Sequence, residues 1–182
     1  MTGRAKRDPE GRKQTIITAT AQLIAEVGVA GVNHRKIAEK AGVPLGATTQ
    51  YFLSREDLIR AALENLAVQF DQDLDGLAQD LSESGDPVRT VARHFLSYAD
   101  EDERSRAATA FFLADLQSPG MEYLTRHWYE RQTAVLRDRF GERFARAAGT
   151  FSYGLFVHYA QNDPLPSEDE IVWILERLTT PE

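Results

Sequence analysis

The chain has 182 residues, 42% of them hydrophobic, no cysteine, and a formal net charge of −7. That length and apolar content fit a folded core and exclude a disordered chain. The absence of thiols excludes a disulfide scaffold, a thiolate zinc site and a cysteine nucleophile, and fits a reducing cytoplasm, the expected location.

Residues 1–9 read as a flexible basic arm carrying Arg4, Lys6 and Arg7, with a role either in tracking a minor groove or as a disordered tail. No apolar run follows the arm, so it is not read as a signal peptide, and no stretch reaches membrane-spanning length. Ile16, Ile17, Ala19, Thr20, Leu23, Ile24 and Val27 then fall on one helical face, and Gly28 is the natural stop. A short helix follows with Asn33 as N-cap and Ile37, Ala38 and Ala41 inward, ended by Gly42. Pro44 sits where a first turn tolerates proline, which predicts a third short helix to about Phe52. Ser54-Arg55-Glu56-Asp57 is close to a capping box and opens a long helix to about Leu81. The run 82–87 is a loop, and further helices are expected at about 87–99, 104–117, 119–139, 142–161 and 168–179. No sustained period-two alternation occurs, so the fold class expected is all-α with no sheet.

Two short helices joined through a glycine-containing turn at 33–52 match a DNA-reading helix-turn-helix. Charge distribution supports that reading. Residues 1–60 hold ten Lys/Arg against six Asp/Glu, a net of +4, while the remainder nets −11. A basic head on an acidic body suits a protein whose one end approaches phosphates. On the second short helix, Gln50 has the geometry for a bidentate contact with adenine. Thr48 and Thr49 suit a thymine methyl or a phosphate, and Leu45 either a thymine methyl or the core. Gly46 and Ala47 leave that helix slim enough to sit deep in a groove. Arg55 and Lys36 are the expected phosphate contacts, with Arg35 and His34 beside them, and Asn33 and His34 also acting through main-chain amides. Tyr51 and Phe52 look by themselves like binding aromatics.

The stretch from Ile37 to Val43, then Gly46, Tyr51-Phe52 and Ser54 to Leu58, resembles the N-terminal signature of the TetR family of bacterial repressors. The preceding Ala25-Glu26-Val27-Gly28 fits as well, so the resemblance covers approximately residues 11–64. Four positions depart from it. Pro44 and Leu45 stand where serine and lysine are common, and Thr49 and Gln50 where tyrosine and histidine are. The missing lysine and tyrosine remove two phosphate contacts usual in the family. The resemblance implies residues 1–53 as a DNA-binding domain that includes Tyr51 in its interface, with Tyr51 and Phe52 as packing that locks the head to the long helix, and 54–182 as an effector-binding and dimerisation domain.

Residues after 54 are rich in aromatics, some of them expected to line an apolar cavity with a few polar groups. Candidate ligand-binding residues are His94, Tyr98, Phe112, Tyr123, His127 and Asn162. His34, His94, His127 and His158 show no paired ligand spacing, so no metal and no cofactor is expected. No phosphate loop or nucleophile elbow occurs, so the chain is not expected to be an enzyme. In the last two helices the small residues Ala145, Ala148, Gly149 and Gly154 permit close helix approach, and the resemblance implies a four-helix homodimer interface there. The expected function is a repressor that binds a palindromic operator as a dimer and releases it when a small molecule binds. The alternatives are an all-α adaptor that has lost DNA binding and an all-α enzyme.

Overall fold

The computed structural model describes residues 8–98, 108, 111–112, 120–160 and 164–179. The helix expected at 104–117, most of the basic arm and Asn162 lie largely or wholly outside them. Among the described residues the fold is all-α, an N-terminal three-helix head with a helix-turn-helix on a C-terminal helical bundle.

Helix α1 spans Pro9–Val27 and starts earlier than the arm's expected end, because the Asp8 side chain accepts from the Gly11 amide at 2.9 Å. Gly28, with φ of 68°, ends it, and a 3₁₀ turn at Val29–Gly31 leads to α2, His34–Ala41. Helix α3 is Leu45–Tyr51, with Pro44 as its N-cap instead of its first residue. Helix α4, Arg55–Glu83, opens with the full capping box. The Asp57 amide donates to Ser54 Oγ at 3.0 Å, and the Ser54 amide donates to Asp57 Oδ2 at 3.1 Å. Helix α5 is Pro87–Leu96, α6 Glu122–Phe140, α7 Glu142–Ala160 and α8 Glu168–Thr179.

Helix α1 packs on α4 and α2, and α3 packs on α2. In the body, α4 lies against α5 and α6, α6 against α7, and α8 against α5 and α7. One apolar core runs through both parts. It includes Ile16, Ile24 and Ile37 of the head, the α4 stripe Leu58, Leu63, Leu66, Phe70, Leu74 and Leu77, and Trp128, Phe144 and Ile171 of the body. The α4 stripe follows the helical repeat, so one face of that helix serves head and body in turn.

The small residues of α7 divide differently from expectation. Ala145 and Ala148 are fully buried, and a Cβ on Gly149 would meet Thr133 Cγ2 and Tyr129 Cε2 at 3.0 Å. All three therefore serve the α6–α7 contact inside the chain and are unavailable to a partner. Gly154 remains exposed, as do Val157 (53%) and Trp173 (56%).

Candidate nucleic-acid interface and effector cavity

The turn between α2 and α3 is closed by backbone geometry that only glycine adopts freely. Gly42 has φ of 64°, its amide reaches back to α2, and the Val43 amide donates to the Ala38 carbonyl at 3.0 Å. Asn33 caps α2 by accepting from the Lys36 amide at 3.0 Å. These two ends fix where α3 emerges.

Helix α3 turns one side inward. Ala47 is buried and Thr48 fully so. Thr48 Oγ1 donates to the Leu45 carbonyl at 2.8 Å and lies 3.0 Å from His34 Nδ1. With its own proton committed, the threonine oxygen accepts from His34 Nδ1–H, joining α2 to α3. Thr48 and Ala47 are therefore corrected from groove contacts to packing residues. Their burial follows from the turn, which presents that side of α3 to α2. The outward side carries Leu45 (52% exposed), Gly46, Thr49 and Gln50, with Asn33, Arg35 and Lys36 exposed beside it on α2. His34 and Tyr51 are half-buried, and Tyr51 packs against the core, as its reading as a lock for the head requires.

Two expected phosphate contacts look different in the structure. The Arg55 guanidinium donates through Nε to the Val32 carbonyl at 2.9 Å and through Nη2 to the Val29 carbonyl. It fastens α4 to the turn before α2, while Nη1 meets only the exposed Glu56 carboxylate, at 3.4 Å. Lys36 Nζ donates to the Gly31 carbonyl at 3.0 Å but stays exposed, with donors to spare. Leu53, not singled out in the sequence, is 94% exposed just beyond α3. An isolated leucine after Phe52 gives no periodic signal that it faces out.

The body holds a cluster of rings. Phe70 meets Phe111 edge-on at 5.0 Å between centroids, and Phe112 lies 4.7 Å from Trp128 and 4.2 Å from Phe156. Tyr98 and Phe112 belong to this interior. Beside the cluster, Phe95, Tyr98, Gln132, Ser152, Leu155, Phe156 and Tyr159 converge on a narrow gap. Burial pushes the Tyr159 phenol up to about 12, so it remains neutral. Sequence reading missed Gln132 and Ser152, which bear no periodic or motif signal.

Tyr123, His127 and His94 lie elsewhere. Tyr123 and His127 are exposed on the outer seam between α4 and α6, where Tyr123 Oη donates to Glu64 Oε1 at 2.7 Å and His127 Nε2 lies 2.9 Å from Asp71 Oδ2. Burial, then the bond to Glu64, raises the Tyr123 phenol above its ordinary value. Arg131 extends the seam to Asp75 at 2.7 Å. His94 is half-buried in an open groove between α4 and α5, its ring edge-on to Tyr98 at 5.3 Å. Tyr123 and His127 are corrected from cavity ligands to surface positions, because α6 turns 123 and 127 away from the ring cluster. Among the described residues no group of three or more His, Cys, Asp or Glu could hold a metal, and no helix is long and apolar enough to cross a membrane.

Residues 16–62 match the family model described as bacterial regulatory proteins, tetR family. The head therefore carries the DNA-binding signature of the TetR family. Among curated relatives, it is 27% identical over 120 residues to the HTH-type transcriptional regulator BetI of Stenotrophomonas maltophilia, a match covering 63% of this chain and 60% of that protein. Solved TetR-type structures match over more of the chain. A member of the TetR family from Streptomyces coelicolor A3 (SCO1917) is 29% identical with a TM-score of 0.79, covering 93% of this chain and 99% of that one. The multidrug binding protein EbrR, in complex with imidazole, is 29% identical with a TM-score of 0.79, covering 96% and 98%.

The seven-residue helix α3 carries no charge, and the exposed cations Arg35 and Lys36 stand on α2. The curated relatives that the chain resembles are named as transcriptional regulators.

Proposed function

We propose that the chain is a ligand-responsive repressor that grips a palindromic operator as a homodimer and lets go when a small molecule enters the body. The observation that carries this is the construction of α4. It starts at the capping box beside the recognition helix and continues, without a break in 29 residues, to the ring cluster through Phe70, Leu74 and Leu77. A displacement at the cluster therefore reaches the head along one rigid element.

The groove-facing set is Leu45, Gly46, Thr49 and Gln50, with Asn33, His34, Arg35 and Lys36 toward the phosphates. One such helix reads too few base pairs, so two copies spaced one DNA turn apart, about 34–36 Å, are required. The dimer forms through the last two helices, using the exposed Val157, Gly154 and Trp173. Likeness to a protein described as multidrug binding supports a small-molecule effector. Release requires that the effector bind the DNA-incompetent arrangement more tightly than the DNA-bound one.

The test is a gel-shift titration on the DNA upstream of the chain's own gene, repeated across a salt series. Binding whose affinity falls steeply with salt is expected. Absent or salt-insensitive binding rejects the proposal.

A further inference from the structure

Gly46 is exposed on the outer side of α3, at a position whose backbone asks for no glycine. It lies within regular helix and is not among the glycines with positive φ. Beyond its own helix backbone and its two neighbours, a Cβ at 46 would meet nothing within 4 Å among the described residues. Glycine weakens a helix relative to alanine, and apart from unusual backbone angles it serves where a backbone must come close to a ligand. None of the described residues makes that close approach, so the partner comes from outside.

Helical spacing puts Leu45 beside Gly46, and Thr49 and Gln50 one turn further on. All three are exposed, Leu45 by 52%, while Ala47 and Thr48 turn inward. They surround a notch at the place where Gly46 has no side chain.

The chemistry of the rim selects among bases. Guanine shows the major groove only acceptors, and arginine or lysine suits it best. Helix α3 has neither. Thr49 Oγ1 donates to the Gly46 carbonyl at 3.2 Å, so what it offers a base is a methyl group and an accepting oxygen. The Gln50 amide sets a donor beside an acceptor, the pattern that adenine complements with N7 and its N6 amine. The remaining feature of an A·T pair is the thymine methyl, and an apolar-walled notch of one missing side chain suits that group.

We infer that α3 reads A·T pairs, with a thymine methyl seated over Gly46 against Leu45 and an adenine held by Gln50. This rests on the reading of α3 as the DNA-reading helix.

The experiment begins with selection of bound duplexes from a random-sequence library by the full chain. Each half of the enriched palindrome is expected to hold a core of A·T pairs. Fluorescence anisotropy then gives affinities for the enriched duplex and for copies with deoxyuridine replacing one thymidine at a time, which removes a methyl and leaves base pairing intact. At one core thymine the wild-type chain should lose about fourfold, the worth of one buried methyl. Leu45→Ala should shrink that loss. Gly46→Ala fills the notch, so it should bind the thymine duplex about fivefold or more weakly and regain most of this on the matching deoxyuridine copy. Without DNA, Gly46→Ala should melt at the same temperature or higher. A guanine–cytosine core, no loss at any deoxyuridine, a Gly46→Ala chain weakened equally on both duplexes, or one that melts several degrees lower would each overturn the inference. Any enriched palindrome leaves the repressor reading standing. A library from which nothing is enriched removes both.

Discussion

Arg55 Nε donates to the carbonyl of Val32 over 2.9 Å, joining residues 23 apart in sequence. The guanidinium fork binds two carbonyls of the turn before α2, those of Val32 and Val29. Arg55→Ala should cost about 1.5–3 kcal/mol of unfolding free energy, the range for hydrogen bonds to a charged group. Arg55→Lys should recover only part, since an ammonium lacks the planar fork. Urea unfolding checks this. A phosphate-contact role predicts the reverse pattern, with stability unchanged and a smaller salt slope of DNA binding.

Gln50 is exposed on the outer side of α3, and none of the hydrogen bonds among the described residues involves its side chain. Gln50→Ala should leave the melting temperature nearly unchanged while weakening operator binding by about 1–3 kcal/mol, with discrimination lost at a single base pair. Binding measured on the operator and on its single-site variants decides the matter. Unchanged affinity would favour an adaptor with a disused head.

Thr48 shows how much of the head could be read from sequence, and where reading stopped. The glycine stop at Gly42, the Asn33 cap and the Ser54–Asp57 box are local signals, each set by backbone groups within three or four residues, and each sits where expected. Which side of α3 turns inward is a tertiary property. In Leu45–Tyr51 the buried side is made of alanine and threonine, so no hydrophobic stripe announces it. The body is harder still. Tyr123 and His127 looked suited to a cavity, yet a polar aromatic and a histidine one turn apart fit an ion-paired surface seam equally well. Gln132 and Ser152 meet across 20 residues between two helices, a pairing that periodicity cannot reveal.

Glu168 joins α8 to α5, accepting from Arg89 Nη1 at 2.6 Å and from Arg93 Nε at 3.2 Å. Arg89 first, then Arg93, hold its carboxyl below the ordinary value of 4.5. A carboxyl whose folded value is depressed stabilises the fold above its unfolded value, and that contribution is lost as pH falls through the folded one. Wild type should therefore melt above Glu168→Gln at pH 7, with the gap persisting down to about pH 4.5 and closing below it. Melting curves across that range provide the measurement. A gap independent of pH would assign the effect to packing.

Val157 and Trp173 are the large apolar side chains left exposed on α7 and α8. Val157→Asp should convert a dimer to monomers and abolish operator binding while helical content is kept. Sedimentation velocity and far-ultraviolet circular dichroism read the two effects separately. A variant that sediments unchanged would place the subunit contact on another face.

The core that passes from Ile16 through the α4 stripe to Trp128 leaves the head with no private interior of its own. The reading end cannot melt while the body stays intact, so heat should undo both in one cooperative step. Whatever occupies the body then also slows amide exchange in α1, and a guest molecule becomes detectable at the end of the protein that never touches it.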